Sequence, residues 1–424
     1  MPAGLQTRVQ IFPSAHYVKF ARPSSTAAPA SILDGFAIIA AIGVIFCRPE
    51  RFRRPMTKRI ALKGVGSSVI QGTLIADSRP DGAVPTSNGT ETLHTVVVDL
   101  CCGAGGLSLA AKDLKWRVVA GVDLNDTALK TFERNFPGAS AIKGSIASDR
   151  VLRQCEALLW PQAPCVEARV IVSGPPCQGF SAAGSRNPKD SRNKLLVRVG
   201  EAISRLQPDC ALVENVSTVL AEKYRDRLSE FKAALAKGSF HVAQVLLDAS
   251  EFGVSQKRKR VFFFVTRFHV DVTDITQALT EHKRAAVGTA QALAGLPVAV
   301  PRPDNYDDEA ECEYVPNHFA MRHSHRVVKK IAAIAPGTGP MSYRRLHATR
   351  LSNTLFSGHR APPAHFIEAR SITVREAARL QGFPDDFRIY GSFANQMEQV
   401  TNAVPPPLSR AALAALRELN GIPR

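Results

Sequence analysis

A cysteine stands on a stiff turn in Gly174-Pro175-Pro176-Cys177-Gln178-Gly179-Phe180-Ser181, directly after the apolar run Val170-Ile171-Val172. The two prolines fix φ and remove two backbone donors, while the flanking glycines let the chain bend sharply and approach a flat ligand closely. A thiol held this way at a strand end suits a nucleophile, provided that a proton-sharing group and a cation stand nearby. Two segments offer them. Glu214 follows the apolar strand Cys210-Ala211-Leu212-Val213, where partial burial gives a carboxyl a reason to hold or share a proton. Arg258 and Arg260 alternate with Lys257 and Lys259 before the strand Val261-Phe262-Phe263-Phe264-Val265. An extended chain therefore carries both guanidinium forks on one face, fit for a carbonyl oxygen, a carboxylate or a phosphate. Taken singly, each has a plainer explanation: a surface ion pair for the glutamate, a solvated phosphate patch or localisation signal for the basic run.

The elements that must position these groups read as alternating strands and helices. Thr95-Val96-Val97-Val98-Asp99-Leu100 is a continuous β-branched run of the kind buried on both faces, followed by Cys101-Cys102-Gly103-Ala104-Gly105-Gly106 and a helical stretch from Leu107 to Asp113. A dinucleotide fingerprint would place a third glycine where Ser108 stands, so the spacing argues against a nicotinamide cofactor. A second strand, Arg117 to Asp123, ends in an acid at the distance from the glycine turn, roughly 20 residues, at which a carboxylate receives ribose hydroxyls. Strand, glycine turn, helix and strand-end acid together predict a nucleoside-containing cofactor at the carboxyl ends of parallel strands. The alternative is a generic α/β turn with an N-capping aspartate.

Composition narrows the class. The 424 residues can fill a sizeable core at 45% hydrophobic content, and 54 Lys and Arg against 37 Asp and Glu give a net charge of +17 that favours a polyanionic partner, nucleic acid first. The 8 cysteines form no CxxC pair and no cluster at metal-ligand spacing, so reduced thiols, no metal and a cytoplasmic location are expected. Residues 1–92 differ from the rest. The apolar run Gly35 to Cys47 is shorter than a membrane span of about 20 residues and late for a signal peptide. It is read as an interfacial helix or, preferably, as part of a dispensable leader upstream of a start at Met56. Residues 77–92 read as a linker rich in Pro, Gly, Ser and Thr.

The segments Asp99 to Ala110, Gly174 to Ser181, Glu214-Asn215-Val216, Gln256 to Arg260 and Gln399 to Pro406 resemble, in this order, the motifs of the DNA cytosine-C5 methyltransferases of bacterial type. The resemblance runs from about residue 94 to 415. It implies a doubly wound, mostly parallel α/β sheet of the class I methyltransferase, Rossmann-like kind, with a smaller target-recognition domain. The implied divisions are 1–92 as an extension, 93–268 as catalytic domain, 269–368 as recognition region, and 369–424 as a scaffold helix returning to the catalytic domain. It implies S-adenosylmethionine as cofactor, held by Leu100, Cys101, Gly103, Gly105, Gly106, Asp123, Leu124, Ser145, Ile146, Pro176, Leu195, Asn402 and Val404. Cys177, Glu214, Arg258 and Arg260 inherit catalytic roles, Arg260 at the target base. Cys177 would add to carbon 6 of a flipped cytosine, with Glu214 neutralising charge at ring nitrogen 3. Gln178, Ser181, Ser185, Arg186, Arg192 and Gln256 are expected at double-stranded DNA, with Asp190 and Asn193 anchoring the loop after the nucleophile. The implied protein is a monomer, with or without a cognate restriction endonuclease.

Three positions depart from the family pattern. Cys101 replaces an aromatic residue, Ser145 an acid that receives the adenine amino group, and Thr401 a glycine. Residues 269–362 are basic through Arg284, Arg322, Arg326, Arg344, Arg345 and Arg350 among others, fit for a phosphate backbone. Thr373 caps a helix that leads to Asp385, and Leu408 to Leu419 forms the last helix. Rival readings are a transfer-RNA cytosine methyltransferase of similar fold and a non-catalytic DNA-binding homologue.

Overall fold

The computed structural model describes residues 94–161, 166–176, 194–303, 315–340, 343–356 and 362–423. The chain separates into a unit from Met1 to Val84 and one from Pro85 to Arg424, and all described residues belong to the second. The apolar run at 35–47, the start at Met56 and the linker at 77–92 lie outside them. No described helix is long and apolar enough to cross a membrane.

Seven strands form one sheet: β1 (His94–Leu100), β2 (Arg117–Asp123), β3 (Ser140–Lys143), β4 (Val166–Ser173), β5 (Cys210–Val216), β6 (His241–Asp248) and β7 (Lys259–Thr266), in the order β3-β2-β1-β4-β5-β7-β6. The first five run parallel, and β7 pairs antiparallel with both β5 and β6. The β-branched and aromatic runs point alternately to two cores. Val97, Val170, Leu212, Phe262 and Phe264 face one, Val98, Ile171, Val213, Phe263 and Val265 the other, and each is fully buried. Helices α1 (Gly106–Asp113), α6 (Val272–Thr280) and α11 (Pro406–Leu419) cover the first face; α3 (Asp149–Leu159), α4 (Lys194–Leu206) and α5 (Arg225–Lys237) cover the second. This is the mostly parallel, Rossmann-like sheet that the family resemblance implies, and its parallel strands are those that the β-branched runs predict.

A third core lies beside the carboxyl ends of the strands. It joins Ala104 and Leu109 of the first glycine turn and helix to Phe132 and Phe136 of α2 (Asp126–Asn135). Leu293, Leu346, Leu355, Ile372, Phe383 and Phe387 from the basic region and its scaffold complete it. Those residues therefore share apolar contacts with the first glycine turn and α2. After the four-residue α7 (Thr289–Ala292), the described residues of the basic region add a two-residue pairing, β8 (Val300–Pro301) with β9 (Phe319–Ala320), and the helix α8 (His325–Ala332). Thr373 caps α9 (Val374–Leu380) with a reciprocal box. Its hydroxyl receives the Glu376 amide at 3.1 Å, while the Glu376 carboxylate receives the Thr373 amide at 2.7 Å and both ends of the Arg370 fork at 2.8 Å.

Two strands run further than their apolar cores suggest. β5 continues through Glu214 to Val216 and β7 starts at Lys259, because Val216 pairs with Arg260 and Asp248 with Lys259. The polar ends are thus held by ladder bonds rather than by loops. After β1 the chain turns at Gly105, whose φ of 92° belongs to glycine. A side chain at Gly106 would collide with the carbonyl oxygen of Val404, which arrives from the far end of the chain after α10 (Phe393–Asn402). Substituting Gly106→Ala is therefore expected to destabilise the fold by about 1–3 kcal/mol in urea titration; an unchanged unfolding midpoint would contradict this close approach.

Candidate active site

In this strand order the crossover connections diverge at β1 and β4, and a crevice opens at their carboxyl ends, where open α/β sheets bind ligands. A cavity of about 310 Å³ occupies it. The turn after β1 supplies Cys101, Gly103 and Gly106, and the turn after β4 supplies Gly174, Pro175 and Pro176. The other walls are Asp123 from β2, Glu214 from β5, Arg258 and Arg260 around the start of β7, and Asn402 and Val404 at and beyond the end of α10. Segments far apart in sequence meet here.

One side of the cavity is built around two acids. Asp123 ends β2 and is tied on both oxygens: Oδ2 receives the Gly103 amide at 2.9 Å and Oδ1 the Asn125 amide at 2.9 Å. The glycine turn is closed further by the Cys102 amide on the Val122 carbonyl, 2.9 Å, and by the Ser173 hydroxyl on the Leu100 carbonyl. Asp99, absent from the residues expected at the site, lines the same cavity at 1% exposure. Burial pushes its carboxyl up to about 7, a shift opposed by the Ser108 hydroxyl that donates to Oδ2 at 2.6 Å and reinforced by nearby Asp123. Oδ1 of Asp99 has no hydrogen-bond partner among the described residues. A buried carboxyl with an unsatisfied oxygen in a cavity is suited to a polar or cationic ligand. The sequence carries a signal for it, since it precedes Leu100 at the end of a buried strand, where a charge needs a partner. Ser108, the residue that breaks the dinucleotide fingerprint, is that acid's donor.

The remaining cofactor candidates lie around this crevice rather than in it. The side chain of Leu100 is fully buried in the core, and Gly105 packs on Phe136. The turn at Gly144 donates to the Asp123 carbonyl at 3.0 Å, which brings Ser145 and Ile146 to the end of β2. There the Ser145 hydroxyl receives the Ala147 amide at 3.2 Å and Ile146 is buried. Leu124 is 68% exposed and Leu195 half-buried at the start of α4. None of these six is a wall of the cavity.

The other side is a buried ion pair. Val216 and Arg260 are paired across β5 and β7, so Glu214, two residues from Val216, is the diagonal neighbour of Arg260 on the same face. The Arg260 Nε lies 2.7 Å from Glu214 Oε1, with the two side chains 12% and 8% exposed. Burial pushes the Glu214 carboxyl above the usual range, while Arg260 first and Arg258 second pull it back. The carboxyl therefore takes up a proton more readily than an exposed one.

Two expectations meet a different geometry. Arg258 is 1% exposed, and its Nη2 donates to the carbonyls of Thr401 at 2.8 Å and Ala403 at 3.0 Å. It borders the cavity, but its fork grips backbone. Gln256, expected at DNA, is fully buried; its Oε1 receives the Leu355 amide at 3.3 Å. Alternation in the sequence places side chains on faces without showing that one face is inward. The residues Cys177, Gln178, Ser181, Ser185, Arg186, Asp190, Arg192 and Asn193 lie outside the described residues. The four described cysteines are free, and burial drives each thiol above its ordinary range. Among the described residues no three metal-binding side chains gather at one point.

Removing one partner of the ion pair should expose its electrostatics. Arg260→Met is expected to destabilise the fold by about 3–5 kcal/mol near neutral pH, since it leaves Glu214 buried and uncompensated. Its folded-state affinity for a proton, already raised, rises further. Stability is then fully present below the unfolded carboxylate value and is lost as pH rises through the folded one, so the deficit against wild type should widen from about pH 4 upward. Urea titrations across pH check this; a deficit that does not vary with pH contradicts it.

Comparison with known proteins shows the family. The C-5 cytosine-specific DNA methylase family matches residues 95–418. The Type II methyltransferase M.AplI of Arthrospira platensis is 30% identical over 327 residues, spanning 76% of this chain and 85% of that protein. M1.BsuMI of Bacillus subtilis is 30% identical over 357 residues, spanning 78% and 81%. Among solved structures, a prophage-encoded E. coli protein described as a DNA modification methyltransferase superposes with a TM-score of 0.62 at 26% identity, over 77% of this chain and 99% of that one. The Dnmt2 methyltransferase of S. pombe shares the fold, with a TM-score of 0.54 at 15% identity over 76% and 98%. With its glycine turn, its buried Glu214–Arg260 pair and this match over most of its length, the chain belongs to the C-5 cytosine-specific DNA methylase family.

Proposed function

We propose that the enzyme methylates carbon 5 of a flipped cytosine within a specific double-stranded DNA sequence, using S-adenosylmethionine and a covalent bond from Cys177 to carbon 6. The observation that carries this reading is the buried Glu214–Arg260 pair facing the same cavity as the glycine turn and Pro176, the residue before Cys177. The cavity suits the cofactor. Its volume is at the low end of small-molecule sites, roughly 300–1,000 Å³, its glycine turn admits close approach, and Asp99 and Asp123 offer carboxylates to amino and hydroxyl groups. When bound there, S-adenosylmethionine supplies an electrophilic methyl group.

Carbon 5 of cytosine is a weak nucleophile, and density must enter the ring before it can accept that methyl. The Cys177 thiolate adds to carbon 6, and Glu214 holds or shares a proton at ring nitrogen 3 while Arg260 orients Glu214 and meets the base. Loss of the carbon 5 proton and elimination of the thiolate complete the cycle. Neither face of carbon 6 is open in a stacked duplex, so the base must leave the helix. The loop from Gln178 to Asn193, with Ser181, Ser185, Arg186 and Arg192, is assigned to the gap and the DNA backbone.

Recognition is assigned to the basic region. A groove of about 800 Å³ there is bordered by Lys257, Arg344, His347 and Arg350, fit for phosphates. Arg345 is engaged elsewhere, since its fork donates to the carbonyls of His365, Ile334 and Ile367 and fixes the groove's wall. The enzyme is read as a cytoplasmic monomer, alone or beside a cognate endonuclease. The named relatives are Type II methyltransferases, which favours the second.

Bisulfite sequencing of DNA from cells expressing the protein should show protected cytosines in one short sequence context, and none with Cys177→Ser. Protection of transfer RNA instead of DNA would replace the substrate, and no protection would refute the activity. Glu214→Gln should lower kcat by about 10²- to 10⁴-fold with a smaller effect on KM for DNA; steady-state kinetics at fixed cofactor decide.

A further inference from the structure

We infer that Arg258 is a positioning residue for the cofactor side of the site, distinct in role from Arg260, and that the segment 256–260 couples cofactor binding to capture of the base. Arg258 and Arg260 both lower the Glu214 carboxyl through their charge, Arg260 more strongly, yet their hydrogen bonds go to different places. Arg260 holds the Glu214 carboxyl. Arg258 holds the end of α10: its Nη2 reaches the carbonyls of Thr401 and Ala403, on either side of Asn402. A buried cation on the last carbonyls of a helix meets the negative end of the helix dipole, so the contact is favourable.

Immediately after Ala403 the chain becomes a wall of the cavity. Val404 is 5% exposed, its carbonyl abuts Gly106 of the first turn, and its side chain stands against Gly174 of the second. The Asn402 to Val404 strip is thus a wedge between the two turns, and Arg258 sets its height. The same short segment also carries the basic region. Gln256 receives the Leu355 amide, the Lys257 amide donates to the Ser352 carbonyl at 2.9 Å, and the Thr354 hydroxyl donates to the Lys257 carbonyl at 2.6 Å. The segment 256–260 therefore joins the recognition strip, the cofactor wall and the catalytic carboxyl. A ligand that settles the wedge settles Arg258, and through one covalent segment it settles Arg260 and the recognition strip. By linkage, DNA must tighten the cofactor by the same factor.

This rests on the proposed cofactor, and the test separates the two. Binding of S-adenosylhomocysteine is measured by calorimetry with and without DNA carrying the target sequence, for wild type, Arg258→Gln, Arg258→Lys and Arg260→Lys. Arg258→Gln should weaken binding about 10- to 100-fold, the effect of losing hydrogen bonds from a charged group. Arg258→Lys, which keeps a cation and N–H donors but not the planar fork, should recover part of it. In both variants the gain from DNA should shrink. Arg260→Lys should bind S-adenosylhomocysteine within about twofold of wild type while its kcat falls. Should Arg258→Gln fail to fold, Arg258→Lys alone carries the comparison. Wild-type affinity in the Arg258 variants with kcat lost would make Arg258 a base contact and overturn the inference. Equal weakening by Arg260→Lys would overturn it too, since the two arginines would then share one role. No binding by wild type would overturn the cofactor reading itself and this inference with it.

Discussion

The site depends on keeping a carboxylate buried. Glu214 stands near the end of β5 with almost no access to water, and a charge there is unfavourable unless a cation is fixed beside it. The antiparallel insertion of β7 between β5 and β6 supplies that cation, because the ladder registers Arg260 opposite Val216 and brings its guanidinium diagonally onto Glu214. A parallel strand in this place would have delivered its opposite end. The reversal of β7 is thus the feature of the sheet that makes the site possible, and the aromatic run Phe262-Phe263-Phe264, buried in both cores, holds that reversal in place.

The same constraint explains why distant segments converge. A raised carboxyl and a buried arginine need a wall that keeps solvent away, and Val404, returning from near the end of the chain, provides it over Gly106 and Gly174. The basic region is bound into this arrangement by the third core, where Leu346 and Leu355 share apolar surface with the first turn and α2. Its Arg370–Glu376 fork and Thr373 cap stiffen the scaffold on which that surface rests.

Much of this is legible in the sequence. Buried β-branched runs place the parallel strands, the glycine turn and Asp123 meet at one cavity, and Cys210 to Val213 announce a strand leading to Glu214. The features that are not legible have a common cause. Gln256 and Arg258 are long polar side chains of the kind usually found at surfaces, and their burial depends on Leu355, Thr401 and Ala403, which lie about 100 to 145 residues later in the chain. Periodicity fixes a face but not what covers it. Asp99 is easily missed for the opposite reason: within a run of valines it reads as a strand terminus, and only the position of Ser108 in the first turn of α1 shows that its charge is being managed. The ends of β5 and β7 are set by pairing partners, which one segment cannot reveal by itself.

The central claim is that this cavity supports covalent attack by the thiol that follows Pro176. Intact-mass analysis of the protein incubated with S-adenosylmethionine and duplex DNA bearing 5-fluorocytosine in the target sequence tests it most directly, because fluorine at carbon 5 cannot leave as a proton does. A species at the summed mass of protein, DNA and one methyl group, absent with Cys177→Ser, is the predicted result. A wild-type enzyme that methylates ordinary DNA yet never accumulates that species, or a Cys177→Ser variant that does, would contradict it.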